Sequence, residues 1–176
     1  MTSSNDSAKR ILLDKIMNGS VPLREIENGR LLNLLAIAIK QGAPAHSGRR
    51  IEPPTYGFDS SEAFLATAIQ FLPPSDRWAL AILISELMAY VWRKTRGEGP
   101  ASDWNSVFAH LGTMPIVIPH PEIQDRLGVM ADRIVCETGY APLLLELKSD
   151  LEERVYSIYR LDCEEIELVE REFYET

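Results

Sequence analysis

The chain has 176 residues, 45% of them hydrophobic and 25% charged, enough to bury one core and ordinary for a soluble globular protein. Its formal charge of -8 disfavours a nucleic-acid partner for the chain as a whole. The longest apolar run, Leu31 to Ile39, is too short to span a bilayer, and "MTSSNDSAKR" lacks the apolar stretch of a secretion signal, so a cytoplasmic location is expected.

The charge is unevenly spread. Residues 150–176 hold ten acidic side chains against three arginines, a balance of -7 that leaves -1 for residues 1–149. The body is nearly neutral and the acid is gathered in one segment, which weakens the exclusion of nucleic acid. Cys136 and Cys163 form neither a disulfide framework nor a zinc site and read as small helix residues.

Ala8 to Met17 carries Ile11, Leu12 and Ile16 at helical spacing and stops at "NGS". Pro22 suits a first helical turn, and "LREIENGRLLNLLAIAIKQG" runs helical to Gly42, with Gly29 a point where it can split. Residues 42–59, "GAPAHSGRRIEPPTYGFD", read as a long Gly- and Pro-rich loop. Asp59-Ser-Ser-Glu62 has capping-box spacing and opens a helix to about Phe71. Ser75 or Asp76 then caps "RWALAILISELMAYVWRKT", apolar nearly all round until Arg93 and so expected as one buried central helix. Asp103 to Leu111 is either a short helix or irregular.

The stretch "PIVIP" interrupts this helical pattern. Proline fixes its own φ and pushes the preceding residue out of the helical region, so Pro115, Pro119 and Pro121 force extension. Ile116, Val117 and Ile118 favour a strand or a packed rail pinned to the core. Pro121 then launches a helix whose Ile123, Leu127, Met130 and Ile134 share one face, with Gly139 as a stop. Pro142 starts another, lined by Leu143, Leu147, Leu151, Val155 and Ile158. Asp162-Cys-Glu-Glu165 is a second capping box before a final short helix. The expected fold is mainly α: a helical body over residues 1–120 and a C-terminal helical arm over 121–176 packed on it.

Catalytic signals are absent from the sequence. His46, His110 and His120 are scattered outside any ligand spacing, and no phosphate loop, dinucleotide fingerprint or nucleophile elbow occurs. The pairs "EPPTY" and "LPPSD" lack the polar leader and aromatic follower of the base-gripping motif of adenine methyltransferases. No enzyme activity, cofactor or metal is expected. The cations point elsewhere. Arg93, Lys94 and Arg96 follow the buried helix between Trp92 and Trp104, and Arg49 and Arg50 lie in the long loop. They can reach phosphates or base edges, with Trp104 free to stack or wedge. Arg93 and Lys94 would equally complement the dipole at a helix C-terminus.

The stretch from "WALAILISELMAYVWRK" through "TRGEG" to "TMPIVIPHPEIQ" resembles the end of the target-recognition region in bacterial restriction–modification proteins. There a buried helix, a Gly-rich loop and a "LPIPxPxxExQ" segment lead into a supporting helix. "LEERVYSIYRLDCEEIELVE" is similar to the close of fused adenine methyltransferase–specificity polypeptides, with Val155, Tyr156, Tyr159 and Leu161 at its apolar positions and Cys163 to Glu170 its terminal helix. The resemblance covers about residues 78–170; the β-rich recognition body and the methyltransferase half have no counterpart. It implies a DNA-recognition or accessory subunit of a restriction–modification or phage-defence system, acting with a separate methyltransferase or nuclease. Arg49, Arg50, Arg93, Lys94, Arg96 and Trp104 would meet DNA, and Tyr156, Tyr159, Glu164 and Glu167 would meet the protein partner. The alternative is an acidic protein-binding adaptor or inhibitor that does not bind DNA.

Overall fold

A computed structural model describes residues 3–42, 69–96, 104–137 and 141–174. Helix α1 (Ser3–Asn18) buries Leu12 and Ile16, one turn apart, and leaves Ile11 in solvent. Pro22 caps the 3-10 turn Leu23–Gly29 and also ends a short strand. Its ψ of 136° is extended, and Val21–Pro22 forms strand β1 against strand β2, Pro115–Ile116. The pair is antiparallel, Val21 opposite Ile116 and Pro22 opposite Pro115. Leu23 and Arg24 continue the contact by donating to Met114 O and Gly112 O, at 3.0 and 2.9 Å. Gly112 permits that approach, because a Cβ there would sit 3.2 Å from Arg24 Cβ and from Leu32 Cδ2.

The expected split at Gly29 is present and wider than one residue. Glu27, Asn28 and Gly29 all have positive φ, at 50°, 56° and 87°, ending the 3-10 turn Leu23–Gly29. Arg30 anchors this turn. It bonds Glu27 and reaches across to Asp76, with Nη2 3.0 Å from Oδ1 and Nη1 3.3 Å from Oδ2. Asp76 is 5% exposed, so its carboxylate relies on this two-pronged partner rather than on water. Helix α2 (Arg30–Gly42) then buries Leu31, Leu35 and Ala38.

The central helix is two helices, α3 (Arg77–Leu83) and α4 (Glu86–Arg96). The break falls at Ile84 and Ser85. Buried Ser85 donates its hydroxyl to Ile82 O at 2.7 Å and accepts from Met88 N at 3.3 Å, so it closes one helix and caps the next. Every residue from Trp78 to Leu83 is buried, as the apolar run requires.

Residues from Trp104 to Leu111 are helical (α5). Of the extended segment after it, Pro115 and Ile116 are buried and Val117 is partly so. Ile118 is 50% exposed and does not help pin the segment to the core. Helix α6 (Pro121–Cys136) packs on α3 through Leu127, Met130, Ala131 and Ile134, aided by Arg77 Nη1 2.9 Å from Asp132 Oδ1. Ile123, expected on the same face, lies at its exposed edge.

Helix α7 (Ala141–Ile158) rests on α6 and α4, and α8 (Cys163–Tyr174) on α4. Arg160, at φ 55°, turns α7 into α8: Leu161 N donates to Tyr156 O and Arg160 N to Ser157 O, closing the helix in the manner that glycine usually serves. The second capping box forms as its spacing predicts. Asp162 Oδ1 accepts from Glu165 N, and Glu165 Oε2 accepts from Asp162 N, both at 2.9 Å. The fold is mainly α, with eight α-helices and one two-stranded ladder among the described residues. One hydrophobic core runs from Leu12 to Val169 and crosses residue 120 without a break.

Candidate interaction surfaces

The cations at the end of α4 are occupied within the chain. Lys94 Nζ lies 2.7 Å from Glu172 Oε2 on α8. The same carboxylate takes Lys9 of α1, so one acidic group holds two lysines and its pKa is drawn below the usual carboxylate value by both bonds. Arg96 places its guanidinium 5.7 Å from the centre of the Trp92 ring, and its Nη1 is buried without a hydrogen-bond partner. Arg93 is partly buried and engaged as well. Trp104 opens α5, while Arg49, Arg50, the first capping box, Gly139 and His46 lie outside the described residues or side chains.

His110 joins this edge from α5. Its ring meets Trp92 edge-on, centroids 4.6 Å apart, and Nε2 is 2.9 Å from Thr95 Oγ1. Burial and the neighbouring Arg96 lower its pKa, which favours the neutral imidazole. The cluster is a seam between α4 and α5. At this edge Arg93 and Arg96 are half-buried, whereas Lys94 and Thr95 stay exposed.

Tyr159 and Tyr156, expected at a partner surface, are both turned inward. Tyr159 donates its hydroxyl to Pro115 O at 2.7 Å and accepts from Val117 N at 3.2 Å. Those two backbone groups straddle Ile116, which is why a proline-bracketed strand with one short neighbour stays in place. Deep burial raises the phenol's pKa. Tyr156 points at α4, where its hydroxyl is 3.4 Å from Glu86 Oε2.

Beside Tyr156 lies a group that motif reading passes over. Glu152 Oε1 accepts from Glu86 N, the first amide of α4, at 2.9 Å. Its Oε2 is buried with no hydrogen-bond partner. Burial, with Glu86 and Glu170 nearby, pushes the carboxyl up to about 8 despite the bond from Glu86 N. A sequence signal exists: Leu151, Val155, Tyr156 and Tyr159 wrap an apolar stripe around position 152, so Glu152 is carried inside it.

The outer faces carry the remaining acid. Glu146, Asp150 and Glu153 on α7 and Glu164 and Glu167 on α8 are exposed, and Leu145 among them is 69% exposed. Glu165, in contrast, is tied to Lys15 at 2.6 Å, and Lys15 also donates to Arg160 O at 3.0 Å. An open cleft of about 450 Å³ between α6 and α7 is lined by Ile123, Arg126, Asp150, Glu153, Arg154, Ser157 and Ile158. Cys136 and Cys163 are free and exposed. Among the described residues, no group of three His, Cys, Asp or Glu side chains is placed to hold a metal ion, and no helix is long and apolar enough to cross a membrane.

No protein-family model, curated protein or solved structure matches the chain.

Proposed function

We propose that the chain is a protein-binding adaptor whose acidic outer face, on α7 and α8, docks a basic partner polypeptide. One observation carries this reading. Lys94, the central member of the cationic edge, is paired with Glu172, while Glu146, Asp150, Glu153, Glu164 and Glu167 are exposed. Arg126 and Arg154 share the cleft with Asp150 and Glu153, and the acidic excess of α7 and α8 as a whole steers a basic partner and raises the rate of encounter. Leu145, exposed within that face, supplies an apolar anchor of the sort that tightens a charged contact once water is excluded. The restriction–modification setting suggested by the sequence resemblance names the class of partner: a methyltransferase or nuclease that performs the chemistry.

Side-by-side affinity capture from cells with the wild-type chain and a Glu146→Lys/Asp150→Lys/Glu153→Lys variant tests the proposal. A partner held by the wild type at low salt and absent from the variant is the expected result. A partner retained equally by both removes the acidic face from the interaction.

DNA recognition remains the second reading, favoured by the rigid seating of the Pro115–Ile116 segment, which that reading needs as a spacer. It requires duplex DNA to compete with Glu172 for Lys94 and to engage Arg49, Arg50, Arg93, Arg96 and Trp104. Gel-shift titration over a salt series separates the two: a steep salt dependence lost in Arg93→Ala/Lys94→Ala/Arg96→Ala favours DNA, and no shift at low salt favours the adaptor.

A further inference from the structure

The open cleft of about 450 Å³ lies where the first turns of α6 run beside the last half of α7. Its walls carry Arg126 on α6 and Asp150, Glu153 and Arg154 on α7, all exposed, together with Ile123 and Ile158. The positive and negative charges cancel here, on a chain whose overall charge is -8. Among the described residues none of these four side chains is ion-paired. Asp150 and Arg154 have the spacing and order that pair along a helix, yet they stay apart. The cleft holds both halves of a salt bridge and closes neither.

We propose that this cleft is a self-association surface, through which two copies of the chain pair about a two-fold axis. In such a dimer one patch serves both copies, so it must supply both sides of every contact. A rise of about 1.5 Å per residue sets Asp150 about 6 Å from Arg154 along α7. Two α7 helices laid antiparallel across the axis bring Asp150 of one copy to Arg154 of the other, and Glu153 to Arg126. Two chains of this net charge repel at a distance, and a locally neutral face lets them touch without like-charge contact. The arginines disfavour a purely basic occupant. A small molecule would be left largely in water by so open a site.

The dimer belongs to the chain alone and does not rest on the adaptor reading. Leu145, Glu146, Glu164 and Glu167 do not line the cleft, so pairing leaves them in place for a basic partner. The contact is modest, because exposed ion pairs each contribute little and Ile123 is only 37% exposed. Association in roughly the micromolar to millimolar range is expected.

Sedimentation velocity of the purified full chain, over a dilution series reaching roughly millimolar, tests the proposal. The wild type is expected to pass from monomer to dimer. Arg126→Glu/Arg154→Glu makes the cleft wholly acidic and Asp150→Arg/Glu153→Arg makes it wholly basic. Each alone is expected to weaken dimerisation at least about tenfold. An equimolar mixture of the two is expected to restore a dimer holding one copy of each. The second variant brings the chain nearer to neutral, so its loss of the dimer separates contact in the cleft from general repulsion. A wild type that stays monomeric throughout overturns the proposal and leaves the cleft to a different polypeptide. Either variant dimerising like the wild type overturns it, as does a mixture that stays monomeric. Should a variant lose its helical circular dichroism, Arg154→Gln and Asp150→Asn take its place, and unchanged dimerisation in both overturns the proposal as well.

Discussion

Tyr159 and Glu152 lie two turns apart along the same helical stretch and meet their neighbours in opposite ways. Tyr159 brings one hydroxyl to one acceptor and one donor, and every group is satisfied without charge. Glu152 brings two oxygens to one donor, in a place where the surrounding charge is already negative. The first contact adds two bonds to a strand already paired with Val21–Pro22; the second leaves the joint between α4 and α7 sensitive to a proton. Burial alone does not decide whether a polar group stabilises a fold. The inventory of partners does.

The comparison can be broken most severely at its stable end. Tyr159→Ala removes the aromatic packing and both bonds, and is expected to cost about 3–5 kcal/mol in denaturant unfolding. An effect below about 1 kcal/mol would show that the strand is held by something else. At the other end, Glu152→Gln is expected to stabilise the chain by about 2–4 kcal/mol above pH 8 and by little near pH 4.5, because only the titrating carboxyl carries the penalty. A melting curve that moves equally at both pH values contradicts this.

Tyr159→Phe isolates the hydroxyl. It leaves Pro115 O and Val117 N without their bonds, with an expected loss of about 1–3 kcal/mol, independent of pH between about 5 and 9. Smaller still, Glu172→Gln unties Lys9 and Lys94 at about 0.2–1 kcal/mol, an amount that shrinks in high salt. If that variant shifts duplex DNA where the wild type does not, the cationic edge regains weight. Arg160→Gly relieves a left-handed arginine and is expected to gain up to about 1 kcal/mol.

Much of the architecture was readable along the chain, and the particular residues show why. The Asp162–Glu165 box, the extended Pro115–Ile116 segment and the stripe Leu147, Leu151, Val155 are local patterns whose consequences are local. The misreadings share a cause. Pro22 stands at a helix start, as the sequence suggests, but that it also pairs as a strand is decided by Pro115–Ile116 on the other side. Ser85 sits inside an apolar run that reads as one helix, until its hydroxyl caps the second half. Ile118 looks as buried as Ile116 when read alone, since neither side chain reveals which face of a short strand meets the core.

The candidate surfaces were less readable than the fold. Lys94 carries the same charge in the sequence whether it faces a phosphate or Glu172, and no local rule brings residue 172 to it. Likewise Tyr156 and Tyr159 are amphipathic side chains equally suited to a surface or an interior. Helical periodicity, proline stiffness and capping spacing, all acting within a turn or two, determined where this chain is helical and where it is extended. Which charges neutralise one another, which carboxyl is left without a donor and which acids remain in water were decided by packing between distant elements, because electrostatic partners and desolvation exist only once those elements are brought together.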